Sequence, residues 1–241
     1  MTKIIILVAG RGSRINKLTK KNPKALLEIN KKSLLSYQLK SIKSAGIKEK
    51  DIALVTGYQR KKFKKFKLKT FHNHKWKKTN MVYSLSKANT WLNKYNCIIL
   101  YGDILYSSDA IKLIINCRKK FCILNNKNWL KCWKKRFAKP LEDLESYKVN
   151  NKKFLTEIGK KENSLKKIKG QFMGIFKINP LNWKKMNFEL NKNNYKMSTT
   201  ELLNHLINNQ KVKIKSIDYK NYWFEIDSYK DLKIAEKDFK E

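Results

Sequence analysis

Lys3-Ile4-Ile5-Ile6-Leu7-Val8-Ala9-Gly10-Arg11-Gly12-Ser13-Arg14 is a short β-branched run that breaks off into glycine and arginine. Residues 3–9 have the pattern of a buried strand that delivers the following loop to one edge of a sheet. Working outward, residues 33–45 carry helical spacing (Leu34, Leu35, Tyr37, Leu39, Ile42) and stop at Gly46, which reads as a C-terminal cap. Residues 51–56 form a second strand, followed by Gly57-Tyr58. Residues 81–93 read as a helix, and residues 97–101 as a third strand ending in Gly102-Asp103. Strand, helix, strand, helix, strand implies parallel pairing through right-handed crossovers. The first half is therefore α/β, a doubly wound sheet with ligands expected at the carboxyl ends of its strands.

After about residue 120 the pattern loosens. Short strands are expected at residues 121–124, 154–158, 172–178 and 212–217. Helices are expected at 199–208, capped by Ser198, and at 229–239 after Asp227-Ser228. This half reads as a mixed extension of the sheet that covers and completes a site. No internal repeat or Pro/Ser linker interrupts the chain, so residues 1–241 form a single domain, divided in role between 1–120 and 121–241.

The 241 residues include 56 Lys+Arg against 19 Asp+Glu, a net charge of +37, with 41% hydrophobic residues. That apolar content can build a sizeable core, which argues against disorder despite the charge. The run Ile4 to Ala9 is far short of the roughly 20 residues that span a bilayer. With no signal peptide either, the cytoplasm is the expected location. Cys97, Cys117, Cys122 and Cys132 form no C-x-x-C pair, and His72, His74 and His205 complete no zinc pattern, so the thiols read as reduced. The charge points to anionic partners without choosing among nucleic acid, a membrane surface and a phosphorylated small substrate. Only five of the cations are arginine (Arg11, Arg14, Arg60, Arg118 and Arg136), whereas base readout favours arginine. The run Arg60-Lys61-Lys62-Phe63-Lys64-Lys65-Phe66-Lys67 spaces its phenylalanines as one face of an amphipathic helix, the alternative being a patch that attracts nucleic acid nonspecifically.

The eight glycines fall where a backbone must turn or approach something closely. The loop Ala9-Gly10-Arg11-Gly12-Ser13-Arg14 can aim backbone N–H groups at phosphate oxygens, with Arg11 and Arg14 adding charge. Ile15 holds the third glycine position of a dinucleotide fingerprint, and the Gly-Lys-Ser/Thr of a P-loop is absent. In Asn22-Pro23-Lys24 a rigid proline presents one lysine within reach of the same phosphates. Asp103 ends the third strand, and Asp227 ends Tyr222-Trp223-Phe224-Glu225-Ile226. Two carboxylates at strand ends, brought together by the fold, would hold Mg²⁺ between phosphate groups. Asn80 either caps a helix or contacts a nucleoside, as do Tyr83 and Ser84. Trp129, Trp133 and Trp223 pack in the core or wall a quaternary ammonium.

The segments Leu7 to Arg14, Pro23-Lys24, Tyr101-Gly102-Asp103 and Phe224-Glu225-Ile226-Asp227-Ser228 resemble, in order and over nearly the whole chain, the signature of the nucleotidyltransferases that activate sugar phosphates and phosphocholine. Thr79-Asn80-Met81-Val82-Tyr83-Ser84-Leu85, Glu157-Ile158-Gly159-Lys160-Lys161 and Gly170-Gln171-Phe172-Met173-Gly174 resemble the phosphocholine cytidylyltransferase branch, including members associated with phosphonate biosynthesis. Val8 departs from that signature, which commonly has a second alanine there.

The resemblance implies a Rossmann-like doubly wound mixed sheet of the nucleotidyltransferase type. It also implies a Mg²⁺-dependent reaction joining CTP, or another nucleoside triphosphate, to a phosphorylated or phosphonate acceptor such as phosphocholine or 2-aminoethylphosphonate, with release of pyrophosphate. Ala9, Gly10, Gly12, Ser13, Asn80 and Gly102 would bind the nucleotide, and Arg14 and Lys24 would stabilise the departing pyrophosphate. Lys160 would hold the acceptor phosphate, in preference to Lys161, while Asp103 and Asp227 would hold the metal. The acceptor oxygen is already ionised near neutral pH, so no general base is required. A sugar-1-phosphate nucleotidyltransferase and a basic nucleic-acid-binding module remain the competing readings, and a homodimer is a possible arrangement.

Overall fold

The computed structural model describes residues 2–193 and 196–239. Its frame is a seven-stranded mixed sheet made of β1 (Thr2–Val8), β2 (Ile52–Thr56), β3 (Lys69–His72), β4 (Asn96–Tyr101), β5 (Phe121–Asn126), β6 (Gln171–Ile178) and β7 (Lys215–Tyr219). The spatial order is β7-β5-β6-β4-β1-β2-β3. Strands β4, β1, β2 and β3 run parallel. Strand β6 lies antiparallel to β4 and β5, and β7 pairs parallel with β5. From β1 the chain builds outward through β2 and β3, then returns to place β4 on the other side of β1. The order reverses between β1 and β4, where a crevice opens above the strand ends.

Period-two alternation explains why β1 sits at the centre. Ile4, Ile6 and Val8 enter one hydrophobic cluster while Ile5 and Leu7 enter the other, so both faces of the strand are covered. Each such aliphatic side chain contributes roughly 1.5–3 kcal/mol on burial. Helices α1 (Leu34–Ser44), α2 (Met81–Ser86), α3 (Ser108–Asn116), α4 (Trp129–Arg136), α5 (Pro180–Lys192), α6 (Thr199–Asn209) and α7 (Tyr229–Asp238) supply those covers. Ser33 caps α1 by accepting from the Ser36 N–H at 3.2 Å. Ser198 and Ser228 open α6 and α7 with reciprocal capping boxes to Glu201 and Asp231. No described helix is long and apolar enough to cross a membrane. The four cysteines are free, and burial pushes the Cys97 and Cys132 thiols up to about 12, which leaves them unreactive.

Several expected elements change form. Residues 81–93 are two short helices, α2 and Asn89–Leu92, not one. Ser84 and Ser86 turn their hydroxyls onto the backbone carbonyls of Asn80 and Tyr83, a local competition that favours an early stop. The run around Phe63 is a 3-10 helix, Arg60–Phe66, between left-handed Gln59 and Lys67, so residues three apart are nearly eclipsed. Phe63 is buried and Phe66 half-buried, while Lys61, Lys62, Lys64 and Lys65 face solvent. The strand expected at 154–158 is Leu155–Lys161, which pairs with Glu145–Val149 in a separate hairpin outside the main sheet. The strand expected at 212–217 begins only at Lys215.

Candidate functional site

The crevice at the β1/β4 reversal is a cavity of about 500 Å³, and many of the residues singled out from sequence line it, among them Ala9, Gly10, Arg11, Gly12, Ser13, Arg14, Lys24, Asn80, Gly102, Asp103 and Asp227. The loop after β1 is pinned from three sides. The Tyr58 N–H donates to the Ala9 carbonyl at 2.9 Å. The Gly12 carbonyl accepts from the Ile15 N–H at 3.1 Å and from the Thr19 hydroxyl at 2.9 Å. Gly12 has φ +81°, and a Cβ there would sit 2.8 Å from the Lys24 Cβ. Glycine therefore lets the loop lie directly against the lysine.

The acidic part is assembled by a two-stranded antiparallel ribbon, Ile104–Tyr106 with Trp223–Glu225, in which Glu225 faces Ile104. Just beyond the paired residues, the Ile226 N–H donates to the Asp103 carbonyl at 2.9 Å, setting Asp103 beside Asp227. The Asp103 turn is held from below by buried Gln38, whose amide donates to the carbonyls of Tyr101 at 3.0 Å and Ile104 at 2.9 Å. Gly102 fits this turn because a Cβ would lie 2.6 Å from the Leu7 carbonyl oxygen.

The Lys24 ammonium lies 2.6 Å from Asp103 Oδ2 and 2.6 Å from Asp227 Oδ1. Arg14 reaches Asp227 Oδ1 at 2.7 Å, and Arg136 holds Asp227 Oδ2 at 3.0 Å. Burial would lower the Lys24 pKa, but the charges of Asp103 and Asp227 outweigh it and push it up to about 12. Burial works against ionisation of Asp227 as well, yet Lys24, Arg14 and Arg136 hold it below the usual carboxylate range.

Glu225 shares this cluster, and ligand oxygens of Asp103, Glu225 and Asp227 lie within 4.8 Å of one another. Asp103 Oδ1 is buried with no hydrogen-bond partner among the described residues, which a bound cation would supply. Asp103 and Asp227 line the cleft with Glu225 beside them, three hard oxygen donors of the kind that suits Mg²⁺.

Lys160 lies on the Leu155–Lys161 strand, outside the lining of this cavity. Its side chain is 58% exposed and pairs with Glu157 at 3.1 Å. Asn80 does cap α2, accepting from the Tyr83 N–H at 3.0 Å, and it faces the cavity as well. Ser84 also lines the cavity. Trp129, Trp133 and Trp223 are at most 7% exposed; Trp133 and Trp223 stack at 5.8 Å, and none lines the cavity, so they form core and not a wall open to it.

Sequence reasoning assigned no role to Glu225, Arg136, Gln38 or Trp76. Glu225 had a readable signal, since residues two apart at a strand end share a face. Trp76 packs beside Tyr58 with ring centroids 5.0 Å apart and lines the cavity. Nothing local marks Gln38, whose partners lie more than 60 residues away.

The family model for MobA-like NTP transferase domains matches residues 4–162. A CTP:phosphoglutamine cytidylyltransferase of Campylobacter jejuni is 36% identical over 250 residues, covering 95% of this chain and 97% of that protein. A choline-phosphate cytidylyltransferase of Streptococcus pneumoniae is 38% identical over 87 residues, 34% of this chain and 37% of that protein. The solved structure of the CTP:phosphocholine cytidylyltransferase from Streptococcus pneumoniae superposes with a TM-score of 0.70 at 20% identity, covering 98% of each chain, which is a likeness of fold.

Proposed function

Because the chain belongs to the MobA-like NTP transferase family, we propose that it is a metal-dependent cytidylyltransferase that joins CTP to a phosphorylated small molecule of the phosphoglutamine type. The observation that carries this reading is the Lys24 ammonium set between Asp103 and Asp227 in a cleft walled by the Ala9–Arg14 loop. Phosphoglutamine takes precedence over phosphocholine for two reasons. The phosphoglutamine enzyme matches from end to end, and the three tryptophans that would surround a quaternary ammonium are packed in the core.

An oxygen of the acceptor phosphate attacks the α-phosphorus of CTP. A new P–O bond forms as the bond to the bridging oxygen breaks, and its electron pair leaves on pyrophosphate. Both partners are anions, so catalysis consists mainly of charge neutralisation and in-line positioning. Gly10, Gly12 and Ser13 present N–H groups to the triphosphate. Arg14 and Lys24 meet the charge that develops on pyrophosphate. Asp103 and Asp227, with Glu225, would hold Mg²⁺, which would supply positive charge to polarise the α-phosphate. Lys160, with its charge in solvent, is available to an acceptor phosphate only if its pairing with Glu157 is exchanged.

A pyrophosphate-release screen of the four nucleoside triphosphates tests the proposal, run against phosphoglutamine, phosphocholine, 2-aminoethylphosphonate and sugar 1-phosphates. CTP with phosphoglutamine is expected to give the highest kcat/KM, and turnover confined to UTP or dTTP with a sugar phosphate would overturn the assignment. Asp103→Asn and Asp227→Asn should each abolish release while leaving the far-UV CD spectrum unchanged. Near-normal turnover by both variants would remove the catalytic reading of the cleft.

A further inference from the structure

Arg136, at the end of α4, has a side chain with 0% exposure in a molecule whose other cations mostly face water. Its guanidinium makes one contact with each of three carboxylates: Nη2 to Asp227 Oδ2 at 3.0 Å, Nε to Asp231 Oδ1 at 3.1 Å, and Nη1 to Glu225 Oε2 at 3.3 Å. The plane is held among the rings of Phe137, Trp133 and Phe224, with centroids 5.0, 5.2 and 5.9 Å away. A lysine ammonium is a point donor and cannot reproduce a fork aimed in three fixed directions. Only five of the 56 cations are arginine, so the use of arginine at this buried point answers a geometric demand that lysine does not meet.

We propose that Arg136 is a positioning residue for the metal-binding carboxylates. It anchors Asp227 by Oδ2, so that Oδ1 must face the cleft, where Lys24 and Arg14 meet it. The same fork holds Glu225 Oε2 at 3.3 Å. Arg136 does not line the cleft and acts through the carboxylates it holds. The competing role is a purely structural tie. Arg136 also joins α4 to α7 through Asp231, and its own carbonyl accepts from Lys230 Nζ at 2.9 Å.

The inference rests on the metal-binding reading above, and the probe is therefore Mn²⁺ alone, titrated into full-length protein without nucleotide and read by EPR. Arg136→Lys keeps the charge and loses the fork. Arg136→Gln is a second variant in case the first does not fold, and near-UV CD verifies each. Lys230→Met breaks only the tie that the Lys230 ammonium makes from α7 to the Arg136 carbonyl at the end of α4. Both Arg136 variants should raise the Mn²⁺ Kd by about 10–100-fold, the usual cost of removing a partner that orients a metal ligand. Lys230→Met should lower Tm and leave the Kd within about twofold, because its loss leaves the Asp227 anchor in place. Equal losses of Tm in all variants with an unchanged Mn²⁺ Kd would reduce Arg136 to a structural tie and overturn the inference alone. If wild type binds no more Mn²⁺ than Asp103→Asn does, the metal reading falls and takes this inference with it.

Discussion

Lys24 illustrates how one side chain can be both a structural and a chemical element. Its ammonium neutralises two carboxylates that would otherwise repel each other across the cleft, and the same charge lies where a pyrophosphate leaving group would gather. Lys24→Met is expected to lower kcat by about 10²–10³-fold, the range found when one donor to developing transition-state charge is removed. A stopped assay of pyrophosphate release would measure it, and a change of less than about threefold would contradict the role. Glu225 supplies a pH signature. Burial first, then Asp227 and Asp103, raise its carboxyl from 4.5 to about 8, while Arg136 and Lys24 pull in the opposite direction. Between those values the folded protein retains a proton that the unfolded chain has released, so stability falls as pH rises through the window. In chelator-treated protein, Tm should therefore decline from about pH 5 to about pH 8, and more steeply than in Glu225→Gln. Parallel curves for the two proteins would show that Glu225 titrates normally. Asp103, Asp227, Lys24 and the glycine loop were readable because each sits at a strand end or beside a proline. Arg136 and Gln38 act across long sequence separations, and no local pattern marks them.

Among the elements, the three central parallel strands and the caps of α6 and α7 follow directly from the residues. Continuous β-branched runs and Ser-x-x-Glu or Ser-x-x-Asp spacings have few alternative readings. Helices α3, α4 and α5 and the edge strand β3 had no counterpart in the sequence reading. In α4 and α5, lysine and asparagine dilute the apolar stripe, and β3 pairs on one side only, with two of its four residues exposed. For α5 a signal was present all the same, since Asn179 caps the helix and Pro180 occupies its first turn. The ribbon that joins Asp103 to Glu225 was out of reach, because its strands are three residues long and more than 110 residues apart. Asn80 connects element to site. It caps α2, donates to the Met197 carbonyl at 2.6 Å and lines the cleft. Asn80→Ala should cost about 1 kcal/mol of stability through the lost cap. Asn80→Ser keeps a capping oxygen and should restore most of that stability. A raised KM for CTP in the serine variant at near-normal Tm would assign the amide to nucleotide binding, and an unchanged KM would leave it a cap.

The whole molecule carries +37, and although Arg11, Arg14, Lys24 and Lys77 line the cleft, most of its cations lie away from the chemistry. The exposed lysines of Arg60–Phe66 show the separation directly, since none of them lines the cleft. A lysine-rich exterior raises the local concentration of any anion, phosphorylated substrates and polynucleotides alike, without discriminating among them. Such attraction acts over a Debye length of about 8 Å at physiological salt and weakens as salt is added, whereas contacts inside a partly buried cleft are screened much less. The two behaviours should therefore come apart. Retention on duplex DNA is expected at low salt, to vanish by about 0.2 M salt, and to decrease in a Lys61→Gln, Lys64→Gln, Lys65→Gln triple variant that keeps full turnover at saturating CTP. Asp227→Asn should do the reverse, retaining DNA at low salt while losing pyrophosphate release. If the triple variant lost turnover at saturating substrate, the surface charge would belong to the catalytic machinery. If DNA binding persisted above about 0.2 M salt with a preferred sequence, specific nucleic-acid recognition would be restored as a function of this chain.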